Sequence, residues 1–237
     1  MNEIKILHLF PRLLSLYGEY GNIAMLRRTL EEQGHRVTLD IFEHGDLCMD
    51  SYDFIYVGAG TEDNLLEAIH RLMPHKQAIA DSIRDGTLWL ATGNAMTLFG
   101  STVTRGEATE AALGCFGYTT TIQDSKRFLG DAVSAEAFGG PIVGFINTSC
   151  VYEGISTSLL ELQLGQTLGN DKKSHTDGIR EGNFYGTQLI GPVLVKNPHF
   201  LEHICRQLTG SDFRLSREGY AQKAYDVALS ELNKRMQ

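Results

Sequence analysis

The residues that could do chemistry sit in short stretches at the ends of apolar runs. The first is Thr92-Gly93-Asn94-Ala95. Before it, Thr87–Ala91 reads as a buried strand preceded by the turn signal Asp85-Gly86. After it, Met96–Gly100 resumes an apolar pattern that could open a helix. Strand, tight turn of small residues, helix is the order in which α/β enzymes hold a nucleophile on a strained elbow. Small residues belong there because the turn brings backbone and helix together. An elbow of this kind needs Cys or Ser at its apex. Here the apex reads Thr92-Gly93-Asn94, and the nucleophile is missing.

The second stretch, Gly58-Ala59-Gly60, could present backbone N–H groups to an oxyanion. A strand-to-helix turn that only needs small residues explains it equally well. The third is Gln188–Pro192. Thr92 could offer a hydroxyl if the elbow slipped by one residue, but threonine needs a strong base and the sequence assigns it none. Cys48, Cys115 and Cys205 read as packing residues. His199 and His203 are four apart, on one helix face, without the Glu of an HExxH pattern, so no metal is expected. Lys172-Lys173 reads as a solvated loop and Arg27-Arg28 as water-facing. Asp124, Lys126 and Arg127 could hold a carboxylate or form surface ion pairs.

These stretches must be positioned by alternating strands and helices. Ile4–Phe10 is a first strand, ended by Pro11, which lacks the N–H a central strand needs. Leu16–Asn22 is a loop. Ile23, Leu26 and Leu30 have helical spacing, and Gly34 closes that helix. Arg36–Phe42 alternates as a second strand and Asp53–Val57 forms a third. Helices follow at about Asn64–Met73 and Lys76–Arg84, ahead of the elbow strand. This alternation implies right-handed βαβ units and a mainly parallel sheet, whose carboxyl ends form the crevice. From Arg105 the chain is Gly-rich and β-prone, over Ala111–Gln123 and Ala132–Phe145, as in an antiparallel section or flap. Gly165–Gly182 is polar, a surface loop or hairpin. Asn183–Leu189 is a strand candidate, and Pro198–Leu208 and Gly219–Met236 are closing helices. With no repeat or linker, residues 1–237 read as one domain.

The formal net charge of −8 argues against a nucleic-acid or membrane-surface binder. No apolar run approaches the roughly 18 residues of a membrane span. The chain opens on a strand-like run, not on a basic and then apolar leader, and its four scattered cysteines contain no CxxC pair. A cytoplasmic protein with reduced thiols is expected.

Leu16-Tyr17-Gly18-Glu19-Tyr20-Gly21-Asn22-Ile23, Val57-Gly58-Ala59-Gly60-Thr61-Glu62-Asp63, Asp85-Gly86, Leu98-Phe99-Gly100, Arg127-Phe128-Leu129-Gly130-Asp131, Val143-Gly144-Phe145-Ile146-Asn147 and Gly186-Thr187-Gln188-Leu189-Ile190-Gly191-Pro192 resemble, in order and spacing, the class I glutamine amidotransferases of the cobyric-acid-synthase (CobB/CobQ-like) type. The chain most resembles the GatD-type glutaminase subunits of lipid II isoglutaminyl synthases, partners of a Mur-ligase-like (MurT-type) synthetase. The resemblance covers nearly the whole chain. It implies one α/β domain with helices on both faces of a mainly parallel sheet, glutamine as ligand, no cofactor, a heterodimer, and amidation of a peptidoglycan precursor.

The departures fall on the chemistry. In the family the elbow reads Ile-Cys-Gly-Gly-Tyr-Gln, and its cysteine forms a glutamyl thioester. Counting from either flank without a gap puts that cysteine at Gly93. The histidine base of the Gly-Thr-x-Leu-His-Gly-Pro segment falls at Ile190. The resemblance places Arg127 where the family carries a site arginine, and Cys150 in a loop near the site. Gly58, Ala59, Gly60, Asn94, Arg127, Asn147 and Gln188 are the candidate substrate-site residues, and Thr92 and Cys150 the possible substitutes for the nucleophile. Three functions stay open: a catalytically degenerate subunit docked on a synthetase, an active glutaminase using displaced residues, and a binder or another enzyme that reuses the crevice.

Overall fold

The computed structural model describes residues 3–49, 51–210 and 212–236. A six-stranded sheet lies at its centre. Its strands are β1 (Glu3–Leu9), β2 (Arg36–Phe42), β3 (Phe54–Val57), β4 (Leu88–Thr92), β5 (Ile179–Glu181) and β6 (Phe184–Thr187), in the order β5-β6-β4-β3-β1-β2. All neighbours are parallel except β5, which runs antiparallel to β6.

Every residue of β3 and β4 is buried, because a parallel sheet is covered on both faces and its strands need continuous apolar runs. The strand period of two sorts these residues into two cores. Leu7, Leu9, Ile55, Val57, Trp89 and Ala91 pack on α2 (Glu62–Leu72) and α3 (Lys76–Arg84). Ile4, Ile6, Phe54, Tyr56, Leu88 and Leu90 pack on α1 (Tyr20–Glu32) and α4 (Pro198–Thr209). The side chain of Thr61 caps α2 through the Asn64 N–H at 3.2 Å, and Glu62 and Asp63 in the first turn suit the helix dipole. A last helix, α5 (Tyr220–Asn233), lies over a long antiparallel hairpin, Phe128–Ala137 with Gly140–Thr148.

The β-rich section after residue 100 forms two further sheets of four and five strands. Three expectations change. Met96–Gly100 does not open an α-helix; the chain instead makes a wholly buried 3-10 turn over Gly93–Phe99. The strand expected over Asn183–Leu189 breaks at Gln188. Its first part joins the central sheet, and Leu189–Ile190 pairs instead with Ile146 and Phe145 of the hairpin. Cys48 is exposed and does not pack in the core.

The loops after β1, β3, β4 and β6 converge at the carboxyl edge of the sheet. The chain goes outward from β1 to β2 and then crosses back to β3. The β1/β3 boundary is therefore the switch point at which such sheets open a crevice.

Candidate functional site

The turn after β4 has glycine at the position where the count from either flank expects the nucleophile. Gly93 follows the last residue of β4 with φ +62°, a left-handed conformation that costs other residues about 1–3 kcal/mol and glycine very little. A β-carbon built on Gly93 would lie 2.6 Å from Ala59 Cβ and 3.0 Å from Ile190 Cγ2. The expected nucleophile and base positions are thus neighbours in space, and hydrocarbon fills the gap between them. Ile190 is held there by its pairing with Phe145.

Gly58, Ala59 and Gly60 do pack against the elbow, and one of their backbone donors is already taken. The Gly60 N–H donates to Asn94 Oδ1 at 3.1 Å, and Asn94 Nδ2 donates back to the Gly60 carbonyl at 2.8 Å. That donor is therefore consumed, and Asn94 staples the elbow to the β3 loop. The glycines are needed for close approach. A β-carbon on Gly58 would meet Glu19 Cβ at 2.8 Å, and one on Gly60 would collide with Leu14.

Beneath the elbow lies a carboxyl that sequence reasoning left out. Glu19 is fully buried. Its Oε1 accepts the Gly191 N–H at 2.7 Å, and its Oε2 accepts from Tyr56 Oη at 2.5 Å and from the Thr92 hydroxyl. Tyr56 Oη lies 2.8 Å from Thr92 Oγ1 and accepts from Asn22 Nδ2 at 2.8 Å. Burial pushes the Glu19 carboxyl up to about 7, against the pull of the hydrogen bonds from Thr92, Tyr56 and Gly191. The group ties the β1 loop to the ends of β3 and β4 and to the residue after Ile190. Its signal was its place in the Leu16–Ile23 segment, a lone acid between Gly18 and Tyr20.

Thr92 therefore has a carboxyl beside it, which the sequence did not provide. By strand parity, however, its side chain faces α1, beneath the elbow, and it is completely buried. Cys150 is equally buried. The Thr97 hydroxyl lies 3.8 Å from its sulfur, and burial raises its pKa against the pull of Thr97, Thr148 and Tyr152, the opposite of what a thiolate nucleophile needs. The strand break turns Gln188 inward, where its N–H donates to Asp177 Oδ1 at 3.1 Å and its Nε2 to Asn170 Oδ1 at 3.3 Å, while its Oε1 has no partner among the described residues.

Arg127 and Asn147 do come together, at the mouth. Arg127 Nη1 donates to Asn147 Oδ1 at 3.2 Å, and Asn147 Nδ2 donates to Tyr17 Oη at 3.1 Å. Arg127 Nη2 pairs with Glu62 Oε1 at 2.5 Å, and the same oxygen accepts from Ser149 Oγ at 2.7 Å. Burial opposes ionisation of Glu62, but the Ser149 bond and the Arg127 charge hold its pKa below the usual value. The guanidinium that could receive a substrate carboxylate already holds one from its own chain. Asp124 pairs with Arg105 instead, and Lys126 and Lys172 lie 4.7 Å and 4.2 Å over the Phe128 ring. Lys172 is thus not a solvated loop residue; burial lowers it to about 8.

Among solved structures, a crystal structure of a glutamine amidotransferase superposes with TM-score 0.52 at 13% identity, covering 86% of this chain and 99% of that one. A Thermotoga maritima glutamine amidotransferase gives 0.51 at 12% identity, over 98% and 97%. At such identities these show the fold. The subunit GatD of lipid II isoglutaminyl synthase (glutamine-hydrolyzing) from Streptococcus pneumoniae is 30% identical over 203 residues, covering 82% of this chain and 76% of that protein. The Staphylococcus aureus protein of the same name is 29% identical over 214 residues, 87% and 86%. Residues 5–198 match the CobB/CobQ-like glutamine amidotransferase domain, and with that match over most of its length the chain belongs to the CobB/CobQ-like glutamine amidotransferase family.

Proposed function

We propose that this chain is a GatD-type subunit that does not form a glutamyl thioester, and that it serves as the partner or regulatory subunit of a Mur-ligase-like, MurT-type synthetase in peptidoglycan-precursor amidation. The reading rests on one observation: Gly93 and Ile190 stand together where a thiol and an imidazole are required, with no room between them for a sulfur. A thioester needs a thiolate and a base to make it. Losing either partner of such a pair removes most of the covalent route. Arg127 held by Glu62 adds to this, because a competing internal carboxylate weakens any hold on glutamine. On this reading the complex is a cytoplasmic heterodimer, and the amidotransferase body acts through its surface.

The test has two arms. Ammonia release from glutamine is measured on the pure protein and on the protein co-purified with a Mur-ligase-like synthetase. Intact mass is recorded after treatment with diazo-oxo-norleucine. We expect a stable complex, no turnover above background and no adduct. Turnover at ordinary enzyme rates, or an adduct on Thr92 or Cys150, overturns the inactive reading in favour of a glutaminase with displaced residues. Failure to associate with any such synthetase favours a binder or a different enzyme.

A further inference from the structure

A second polar cavity lies on the other side of α4 and is lined by none of the residues of the strand-end crevice. Its volume is about 300 Å³, and His199, Glu202, His203, Arg206, Arg214 and Arg217 line it. Three guanidiniums face one carboxylate, in a chain whose net charge is −8. That carboxylate is already committed: Glu202 accepts from Arg214 Nη1 at 3.0 Å and from the Leu215 N–H at 3.0 Å, and lies 3.6 Å from Arg217 Nη2. Asp212, the other nearby acid, is fully exposed and 3.9 Å from Arg206. A further guanidinium, Arg180, packs 5.5 Å over the Tyr185 ring, whose hydroxyl lies 3.0 Å from His203 Nε2. Arg206 Nε donates to the Phe213 carbonyl at 2.9 Å and Arg217 Nη1 to Gln222 Oε1 at 3.3 Å, both uncharged acceptors, so among the described residues the positive charge lining the cavity exceeds the negative.

The cavity also holds an unanswered polar atom. His199 is only 4% exposed, and its Nε2 has no hydrogen-bond partner among the described residues. The Nδ1 edge of the ring faces the Gly140 backbone, which favours the charged form of the imidazole. With the ring proton on Nδ1 towards Gly140, the neutral ring leaves Nε2 as an acceptor. The lining thus combines several donors that match an oxyanion with one buried acceptor that wants an O–H. Arginine forks suit phosphate geometry. A phosphate that keeps one proton also supplies the O–H, whereas sulfate at neutral pH does not.

We propose that this cavity binds free monohydrogen phosphate, with Arg206, Arg214 and Arg217 on its oxygens and His199 Nε2 accepting from its proton-bearing oxygen. Protonation of His199 would let the same site take sulfate. Burial and the Arg217 charge put that event at about 4, so the two anions are resolved at neutral pH.

The test is titration calorimetry with inorganic phosphate, sulfate and glycerol 3-phosphate on the full chain at pH 7, with ionic strength held constant by chloride. We expect saturable binding of phosphate at one site and sulfate weaker by about ten-fold, the value of one good hydrogen bond to a charged group. Arg217→Gln should weaken phosphate by about ten-fold or more. In the wild-type protein, phosphate should shift the imidazole resonances of His199 and His203 among the eight histidines. Glycerol 3-phosphate, at this pH mainly a dianion without a P–O–H, should bind more weakly than phosphate, as sulfate does, and binding at least as tight as that of phosphate would overturn the contact at His199. Absence of saturable heat, equal affinity for sulfate, histidine shifts elsewhere than His199, or an unaltered Arg217→Gln variant would each overturn the proposal.

Discussion

Ile190 Cγ2 lies 3.0 Å from the point at which a β-carbon on Gly93 would stand. The contact means that the two substitutions at the elbow are structurally coupled. A residue with a side chain at 93 must displace Ile190, Ala59 or both, and must also accept φ +62°.

Gly93→Cys should therefore not recover a glutaminase. Left-handed backbone costs about 1–3 kcal/mol and overpacking a core a further 1–3 kcal/mol or so. Chemical denaturation should show a loss of about 2–6 kcal/mol, with no ammonia release. A variant as stable as the wild type would mean that the elbow has the room denied it here.

The Glu19 carboxyl makes stability depend on pH in a predictable direction. Its folded value of about 7 lies above its ordinary 4.5, so the folded state holds the proton more tightly. The stabilisation is complete below about pH 4 and is lost as pH rises through 7, by about 3 kcal/mol in all. His8 and His199, both lowered to about 4 by burial, act in the opposite direction over the acid range, so the comparison must be made against a variant. Glu19→Gln keeps an acceptor for the Gly191 N–H and removes the titrating proton, its amide N–H donating to the Tyr56 and Thr92 hydroxyls from which the carboxyl oxygen accepted. Urea unfolding at pH 5 and pH 8 should show the wild type losing about 2.5 kcal/mol more than Glu19→Gln across that interval. Parallel behaviour of the two would place the Glu19 pKa near its ordinary value.

These two residues also mark where sequence reasoning succeeds and where it stops. Phe54–Val57 and Leu88–Thr92 were legible as central strands because burial on both faces demands an unbroken apolar run. Gly93 and Ile190 were legible as a pair only through the resemblance, since nothing local links them. Glu19 was not legible as part of the site. Its partners Tyr56, Thr92 and Gly191 lie 37, 73 and 172 positions away, and only the fold brings them together. The seven residues Gly93–Phe99 are all buried, so they carry no amphipathic period from which a 3-10 turn could be told from an α-helix. The strand break at Gln188 was missed for a different reason. A side chain reverses face with a one-residue break in a strand, and apolar patterning gives no sign of that break.

The Arg127–Glu62 pair bears on ligand capture more than on stability. Arg127 is partly exposed, at 43% of its side chain, and such pairs contribute about 0–1 kcal/mol. Glu62→Gln should leave the denaturation midpoint nearly unchanged while releasing the guanidinium. Phenylglyoxal, followed by peptide mass mapping, should then modify Arg127 faster in Glu62→Gln than in the wild type. Equal rates would indicate that Glu62 does not occupy Arg127 in solution.

The cysteines give a last and independent check on the inactive reading. A catalytic thiol is accessible and has a lowered pKa. Cys150 and Cys205 are buried, with pKa values raised by burial, that of Cys205 to about 12, and the partly buried Cys115 is also pushed up to about 12. Cys48 is the exposed member of the set. Treatment of the native protein with a slight excess of iodoacetamide near neutral pH should alkylate Cys48 first. Cys150 should react only on unfolding, at a rate set by opening of the β-sheet section that covers it. Selective alkylation of Cys150 in the folded protein would show a reachable, ionised sulfur beside the crevice, and the reading of this subunit as an amidotransferase body without a nucleophile would have to be given up.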